Sequence, residues 1–258
     1  FIRTLIEFLN SKNNIILMRL SQKTNIYPVI KRTFDFMVSL IGLAVLAPFL
    51  IIIMMILKFS GEREVFYLQE RMGLNNKSFY IYKFATMLKN SSNMGNKNLT
   101  VRNDPRITKV GKFLRITKIN ELPQILNVLK GDMSLVGPRP LLEQGFNKYH
   151  QKVKDVVCKN KPGITGIGSL IFRDEELLVT TYKNLGKNPS EYYKEHIYPY
   201  KGSLEEWYYY NKSIRVDFKI LFLTFWSLVN RNSQGVYKTL KNLPKKPNSL
   251  TLEGIHDL

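Results

Sequence analysis

The chain has 258 residues, enough for one domain with a substantial hydrophobic core. Its 39 lysine and arginine residues outnumber 20 aspartate and glutamate residues, and the net charge of +19 predicts an anionic partner: nucleic acid, anionic lipid headgroups or a phosphorylated substrate. The single cysteine, Cys158, excludes an internal disulfide framework, and the three isolated histidines argue against a histidine metal site.

Residues 1–28 form a basic, amphipathic lead-in. We expect a helix at a membrane interface, with an ordinary surface helix as the alternative. The segment has no short apolar core followed by a small-residue cleavage site, so it is not a secretory signal. Because it lacks an initiator methionine, we expect the sequence to begin inside a longer product.

Residues 29–60 contain the most apolar part of the chain. No residue is charged from Phe36 to Leu57, 22 positions in a row, which is long enough to cross a bilayer. Pro48 lies in the middle and predicts a kink or break. Basic residues flank both ends, so charge gives no clear direction of crossing. A re-entrant helix bent at Pro48 explains both facts; a kinked full span and a buried core helix are the alternatives.

After this helix the periodicity becomes that of strands. Residues 65–72 and 78–84 read as two short strands joined by a turn, which predicts a hairpin ending near Lys83. Residues 88–101 are polar and rich in turn formers, which indicates a loop. We take residues 61–200 as one domain carrying the chemistry.

Residues 118–140 predict a helix followed by a stiff arginine loop. Asn120 stands at the N-cap position, Glu121 opens the first turn, and Gly131 ends the helix. Arg139 is held between two prolines. A carboxylate at a positive helix end with a displayed guanidinium nearby suits a phosphate. The residues of the apolar helix face are Leu122, Ile125, Leu126 and Leu129.

Further charged segments surround this region. Eight lysine and arginine residues and only three carboxylates lie between positions 102 and 139, and they include Arg106 and Arg115. Residues 141–159 read as helical. Residues 161–168 form a turn-rich loop that is not a Walker A sequence. The three acids at 174–176 serve a metal, a cation on the protein, or solubility.

The C-terminal part, residues 201–258, contains a second apolar helix. The segment from Ile214 to Val229 is too polar to span a bilayer comfortably, and we expect it to lie at a membrane surface. From Lys241 onward the tail is expected to be extended.

The motifs together resemble the bacterial sugar transferases, the monotopic polyprenyl-phosphate phosphoglycosyl transferases, over about residues 29–200. The run from Glu121 to Pro140 is highly specific, whereas the others are weak singly. The remaining matching motifs are Lys31-Arg-Thr-Phe-Asp35 with the Pro48 helix, Val65–Gly73, Phe79–Phe84, Asn103-Asp-Pro-Arg106 and Lys161-Pro-Gly-Ile-Thr-Gly166.

The resemblance implies an α+β fold, mostly helical, with a small cytosolic catalytic domain, a short β-hairpin, a re-entrant membrane helix and interfacial amphipathic helices. It implies transfer of a phospho-sugar from a UDP-sugar to a polyprenyl phosphate, usually undecaprenyl phosphate, with release of UMP and with Mg²⁺ as cofactor. The location it implies is the bacterial inner membrane, facing the cytoplasm, among anionic lipids. A homodimer is left open, and no nucleic acid is expected.

The chain departs from the family pattern at two positions. The pattern has Asp-Glu where this chain has Asn120-Glu121, and the Asp is taken as the nucleophile; an amide is a poor one. Position 85 is Ala where the pattern has Arg, and we hypothesise that the two changes are linked. Three interpretations remain: another acid such as Glu121 takes over, the lipid phosphate attacks directly, or the chain is a catalytically silent scaffold.

These considerations give a set of expected roles. We expect Asn120 and Glu121 at the reaction centre, with Glu121 binding Mg²⁺ or doing acid–base work. The expected phosphate ligands are Lys83, Arg106, Arg115 and Arg139. The rival from another class is a non-enzymatic membrane-surface protein that binds anionic lipids. A nucleic-acid-binding protein fits the long uncharged run badly.

Overall fold

The computed structural model describes residues 26–60, 62–89, 91, 104–229 and 234–256. In this part the chain is mostly helical with two small sheets, which confirms the α+β, mostly helical prediction. The predicted lead-in helix before residue 26 and most of the 88–101 loop lie outside the described residues. The helices are α1 Tyr27–Phe59, α2 Lys109–Ile116, α3 Ile125–Lys130, α4 Glu143–Phe146, α5 Gln151–Val157, α6 Ile167–Ile171, α7 Glu175–Asn184, α8 Pro189–Tyr192, α9 Tyr198–Asn211, α10 Ile214–Val229, α11 Gln234–Thr239 and α12 Leu252–His256. The strands are β1 Phe66–Met72, β2 Ser78–Phe84, β3 Ser134–Val136 and β4 Gly163–Thr165.

Helix α1 is the longest element. Its 33 residues correspond to about 50 Å at 1.5 Å per residue. The predicted apolar helix is therefore confirmed and is longer than the uncharged run. Pro48 lies inside the helix, which continues on both sides. A proline removes one backbone hydrogen bond, and here the neighbouring bonds suffice to keep one helix rather than two. The re-entrant course stays a prediction.

One face of α1 packs on the rest of the chain along most of its length. Near its start, Lys31 reaches Asp217 of α10 at 2.7 Å, and the Arg32 guanidinium donates to the Leu129 carbonyl at 2.8 Å. Near its end, Leu57 packs with Phe84 and Leu114. The other face is exposed and apolar, which disfavours a fully buried core helix. The buried residues of the helix are Asp35, Ser39, Leu50, Ile53 and Leu57.

Strands β1 and β2 form the predicted hairpin. They pair antiparallel, and the turn is closed by the Gly73 amide donating to the Lys77 carbonyl at 3.0 Å. The register places Tyr67 opposite Lys83 and Arg71 opposite Phe79. Directly opposed residues share a sheet face, and so do alternate residues of one strand. Arg71 and Lys83 therefore project from the same face of the hairpin.

The segment from Lys118 to Gly131 differs from the predicted capped helix at its start. Lys118 has a φ of 60°, and its carbonyl accepts the Glu121 amide three residues later, which begins a 3₁₀ helix over Ile119–Gln124. Asn120 lies inside this turn, so the prediction that it is an N-cap is wrong. Helix α3 follows and ends at Gly131, whose φ of 93° confirms the predicted stop.

The side-chain amide of Asn127 joins α3 to the hairpin. It is fully buried, donates to the Tyr80 carbonyl at 2.8 Å and accepts the Tyr82 amide at 3.0 Å. In doing so it completes the hydrogen bonding of β2 in the way a third strand would. This contact fixes the position of the 3₁₀ helix relative to Lys83.

Strands β3 and β4 form a short parallel pair. The prediction of a loop over residues 161–168 is wrong in part, because β4 lies within that range. Beyond the pair, the Gly137 amide donates to the Thr165 carbonyl at 2.9 Å and the Gly163 amide to the Pro138 carbonyl at 2.8 Å. A Cβ atom at Gly137 would lie 2.3 Å from the Lys161 carbonyl oxygen. The two backbones approach too closely for side chains, and this approach holds the loop that carries Arg139.

The C-terminal half supplies the largest hydrophobic cluster. Ile167 of α6, Leu204 of α9 and Ile220 of α10 are fully buried in it. The predicted helix over Ile214–Val229 is confirmed, whereas residues 141–159 form two short helices rather than one. The tail is not simply extended, because Leu250 and Ile255 are buried against this core and α12 forms around Ile255.

Candidate active site

The carboxylate of Glu121 is the centre of a charged cluster. Its Oε1 atom lies 3.2 Å from the Lys83 ammonium and 3.4 Å from the Arg139 guanidinium. Lys83 and Glu121 are largely buried, whereas about half of the Arg139 side chain faces solvent. The structure therefore brings together three residues that were predicted for the site, with the arginine on its open side.

Three separate elements supply these side chains. Lys83 comes from β2, and the 3₁₀ helix that holds Glu121 packs directly against that strand. Arg139 comes from the loop that follows β3 and is held between Pro138 and Pro140. Because each of the three side chains comes from a different, well-packed element, the cluster is already in place before any substrate binds.

Arg71 is a further cation at the site that was not predicted from the sequence. Its guanidinium donates to the Pro140 carbonyl at 3.2 Å and also bonds the Gln69 side chain. Burial and the positive charge of Arg139 lower the pKa of Arg71 to about 10. The sequence feature that could have identified Arg71 is its position in the Val65–Gly73 motif, on the hairpin face that carries Lys83.

The pKa values show how strongly these groups interact. Burial, together with the nearby Arg139 and Arg71, lowers the pKa of Lys83 to about 8, against the opposing effect of Glu121. Burial works to raise the pKa of Glu121, but the charges of Lys83, Arg139 and Lys118 outweigh it and hold that pKa well below its usual range. The attraction of Glu121 raises the pKa of Arg139. One ionised carboxylate thus faces a surplus of cations.

Asn120 lies beside this cluster with an unsatisfied polar atom. The residue is 7% exposed, and its Oδ1 atom is buried without a hydrogen-bond partner in the part of the chain that the structure describes. A buried, unpaired amide oxygen costs about 1–3 kcal/mol. Such an atom is a candidate ligand for a donor or cation that arrives with the substrate.

The residues present suit a cation that is shared with a substrate. Within the described residues, no group of three His, Cys, Asp or Glu side chains is arranged to hold a metal. Mg²⁺ commonly takes one or two protein oxygens and completes its shell with phosphate oxygens and water. The Glu121 carboxylate and the unpaired Asn120 oxygen provide such a partial set.

Arg106 and Arg115 occupy a second charged group. Arg106 is buried and makes a bidentate contact with Asp104, at 2.9 Å from Nε to Oδ1 and at 2.6 Å from Nη2 to Oδ2. It also donates to the Ser91 carbonyl at 3.1 Å. The charge of Arg115 helps to lower the pKa of Asp104, after the hydrogen bonds from Arg106. The phosphate-binding roles of these two arginines stay predictions.

The acids at 174–176 include one with an identified partner. Glu175 lies 2.6 Å from the Lys201 ammonium and also attracts Arg139. Of the three alternatives considered for these acids, a cation on the protein is the one that the structure supports. Glu175 therefore contributes a negative charge that acts on Arg139.

The comparison with known proteins agrees with this arrangement. The profile of the family described as Bacterial sugar transferase matches residues 26–231, which is most of the chain and includes every residue of the site. The chain belongs to the bacterial sugar transferase family. This membership confirms the predicted resemblance, and both α1 and the hairpin lie within the residues that the family profile matches.

Several curated relatives carry descriptions that name an activity. An undecaprenyl-phosphate galactose phosphotransferase of Salmonella typhimurium is 33% identical over 222 residues, 81% of this chain and 42% of that protein. An undecaprenyl-phosphate glucose phosphotransferase of Komagataeibacter xylinus is 38% identical over 157 residues, 56% of this chain and 30% of that protein. An uncharacterized sugar transferase of Haemophilus influenzae is 33% identical over 223 residues, 81% of this chain and 42% of that protein. The chain spans less than half the length of these three relatives.

Proposed function

We propose that this protein is a phosphoglycosyl transferase that moves a phospho-sugar from a UDP-sugar to a polyprenyl phosphate such as undecaprenyl phosphate. The products are polyprenyl-diphosphate-sugar and UMP, and the reaction starts the assembly of a surface glycan. The observation that carries the proposal is the convergence of Lys83 and Arg139 on the buried Glu121. Family membership and the names of the relatives support it.

The cations match the charge of a diphosphate donor. Arg71, Lys83 and Arg139 surround a single carboxylate, so the site is positive before the donor binds. A diphosphate ester offsets this charge, and fixed cations stabilise the negative charge that builds on the departing UMP. Arg139, the most exposed of the three, is the first to meet a phosphate from solution.

The groups beside the cations favour direct transfer over a covalent enzyme intermediate. Asn120 carries no charge and is a poor nucleophile. Glu121 is held ionised with a low pKa, which makes it a weak base. The acceptor phosphate is already an anion and needs no base. In this step an acceptor oxygen bonds to the sugar-bearing phosphorus, and the bond from that phosphorus to the bridging oxygen breaks, leaving UMP with the electron pair.

Asn120 and Glu121 would hold Mg²⁺ together with the donor phosphates. When bound, the cation withdraws charge from the phosphate oxygens. The protein's own part is to fix the geometry: Glu121 is anchored by Lys83, while the unpaired Asn120 oxygen accepts a hydrogen bond or a metal bond that the free protein does not provide.

The long helix supports a location at the bacterial inner membrane. Its exposed face is apolar, and both of its ends contact the domain formed by residues 61–200, through Arg32 at the start and Leu57 at the end. A helix that crossed the bilayer would place its ends on opposite sides, so this contact favours the re-entrant course. We place the catalytic domain at the cytoplasmic side, beside anionic lipids. A homodimer stays a prediction.

The test combines the protein in lipid nanodiscs with Mg²⁺, undecaprenyl phosphate and a panel of UDP-sugars, and follows UMP release. We expect release with at least one sugar, no phospho-sugar trapped on the protein, and a loss of at least a hundredfold in Arg139→Ala. The matched control is Lys77→Ala, an exposed lysine in the hairpin turn, which should keep full activity.

The Asn120→Asp variant separates the alternatives. Turnover in the unaltered protein without any trapped intermediate supports direct transfer. A phospho-sugar trapped on Glu121 shows that this acid has taken over as nucleophile. Silence across the panel, with turnover gained in Asn120→Asp, identifies a silent scaffold. Comparing Ala85→Arg in both backgrounds tests whether positions 85 and 120 are linked.

A further inference from the structure

Lys118 has a backbone conformation that is unfavourable for a lysine. Its φ of 60° lies in the left-handed region, which glycine and asparagine adopt far more easily than residues with long side chains. Residues in this region persist only where the surrounding structure enforces the conformation, and they cluster at functional sites. Here the left-handed residue turns the chain from α2 into the 3₁₀ helix. The turn therefore fixes the backbone from which the Lys118 side chain projects, three residues before Glu121.

The ammonium of Lys118 is a cation of the site that has no partner of its own. The residue is exposed, and among the described residues its side chain forms no salt bridge or hydrogen bond. Its charge nevertheless acts on the buried Glu121 carboxylate, after the charges of Lys83 and Arg139. Lys83 and Arg139 both contact Oε1 of that carboxylate. An exposed ammonium beside the reaction centre that contacts neither carboxylate oxygen is available to a ligand.

Lys118 approaches the site from the side of α1. Its neighbour Ile119 packs against the cluster that Leu57 of α1 forms with Phe84. Lys83 is adjacent to Phe84 in β2, and adjacent residues of a strand project from opposite faces. Lys83 and Lys118 therefore reach the reaction centre from different sides. Under the proposed function the bilayer lies on the side of α1, so a phosphate carried by a lipid arrives on the side of Lys118.

The strand beside the site lacks a cation where the family pattern has one. Ala85 takes the place of an arginine, and its amide continues the hairpin ladder by donating to the Val65 carbonyl at 3.0 Å. Alternation along the strand places position 85 on the same face as Lys83, which meets the 3₁₀ helix. Because alanine contributes no charge there, a phosphate at this site needs a cation from another element. The 3₁₀ helix packs directly against β2, and Lys118 at its start supplies that cation.

We propose that Lys118 binds the phosphate of the polyprenyl acceptor and offsets its charge as it approaches the donor. The inference rests on the proposed function and adds to it the residue that receives the second substrate. Arg139 meets the donor from solution, and Lys118 meets the acceptor from the membrane. Two anions are thereby brought together beside one ionised carboxylate, and each of them has a cation of its own.

Hydrogen exchange tests acceptor binding without any need for turnover. Exchange over residues 117–124 is measured in phosphatidylglycerol nanodiscs, with and without undecaprenyl phosphate. We expect the acceptor to slow exchange about fivefold in the unaltered protein, since binding stabilises the segment that it contacts. Lys118→Met keeps the length of the side chain but not its charge, and should abolish this protection. Lys118→Arg should retain it. Lys77→Met, at an exposed lysine of the hairpin turn, is the matched control and should behave like the unaltered protein.

Steady-state kinetics separate the two substrates. Lys118→Met should raise the KM for undecaprenyl phosphate about tenfold, because a hydrogen bond between charged groups is lost, while the KM for the UDP-sugar stays unchanged. Adding Ala85→Arg to Lys118→Met should recover part of this loss, because it returns a cation to the strand beside the site.

Two results would overturn the inference. One is equal protection by undecaprenyl phosphate in Lys118→Met and in the unaltered protein, which would show that phosphatidylglycerol or no lipid at all occupies Lys118. The other is a rise in the KM for the UDP-sugar alone, which would assign Lys118 to the donor. An unaltered protein that undecaprenyl phosphate does not protect, and that releases no UMP with any sugar, would instead remove the proposed function.

Discussion

The Lys83 ammonium lies 3.2 Å from Oε1 of Glu121, and 38 positions of the chain separate the two residues. The hairpin and the 3₁₀ helix must therefore be correctly packed before this ion pair exists. Neither element holds its charge alone, because a buried lysine or glutamate without its partner is unfavourable. The ion pair therefore forms only when the tertiary structure is correct.

The pH dependence of activity should follow Lys83. Its pKa is lowered to about 8, so in the free protein the ammonium loses its proton as the pH rises through that value. If the charged form is needed to bind the donor, kcat/KM should fall above pH 8. Lys83→Arg should remove this fall, since a guanidinium stays charged. A falling limb that persists unchanged in Lys83→Arg would show that another group titrates; Lys77→Arg is the control.

Asn127 should set the stability of the site region. Asn127→Ala leaves a buried amide and carbonyl of β2 without partners, which costs about 1–3 kcal/mol each. We expect a clear drop in the denaturant midpoint of the purified protein, and weaker donor binding because the 3₁₀ helix is no longer fixed against Lys83. Asn147→Ala, at an exposed asparagine, should change the midpoint little. Equal midpoints for the two variants would contradict this role.

The start of α1 should depend on Asp217. This buried carboxylate accepts from Tyr27 at 2.9 Å, from Lys31 at 2.7 Å and from Tyr208 at 2.8 Å. Asp217→Ala removes the acceptor of the Lys31 ammonium and of the Tyr27 hydroxyl, while Tyr208 keeps the Val136 carbonyl at 3.4 Å. Removing one partner of a buried ion pair costs about 3–5 kcal/mol. Hydrogen exchange over residues 27–35 should accelerate strongly.

The matched control for Asp217→Ala is an exposed acid on α7. Glu176→Ala removes an exposed carboxylate and should leave exchange in α1 unchanged. Slow exchange over residues 27–35 in both variants would show that the apolar contacts of α1 are sufficient by themselves.

Gly137 should be intolerant of a side chain. A Cβ atom would lie 2.3 Å from the Lys161 carbonyl oxygen, so Gly137→Ala must push the Arg139 loop away from β4. We expect a higher KM for the donor, measured by UMP release, together with a lower melting temperature. Gly235→Ala on α11, where a Cβ atom would meet nothing within 4 Å apart from the adjacent residues and the backbone of its own helix, is the control. Unchanged kinetics in Gly137→Ala would mean that the loop tolerates displacement.

The sequence predicted the elements well where a single pattern dominates. The uncharged run predicted α1, the alternation of residues predicted the hairpin, and Gly131 marked the end of α3. The parallel pair of β3 and β4 was not predicted, because strands of only three residues give no periodic signal. The N-cap prediction for Asn120 failed because the turn begins earlier, at Lys118, whose positive φ the sequence does not reveal.

The residues of the site could likewise be predicted only in part. Glu121, Lys83 and Arg139 could be named from the motifs, but their convergence depends on the hairpin register and on the Gly137–Gly163 contact. Arg71 was overlooked because it is the single cation of β1. The pairing of Arg106 with Asp104 shows the limit of charge counting, since a cation near the site in sequence has its own acid two residues away.

The packing of α1 has a practical consequence for producing the protein. The side chains of Phe84 and Leu114 pack against Leu50, Ile53 and Leu57 of α1. In addition, Asp35 of α1 accepts a hydrogen bond from the Leu135 amide at 3.1 Å. A version shortened to begin after Phe59 would expose this surface and lose that acceptor. Helix α1 therefore belongs to the same folding unit as the residues that follow it, and a protein shortened in this way should aggregate rather than work.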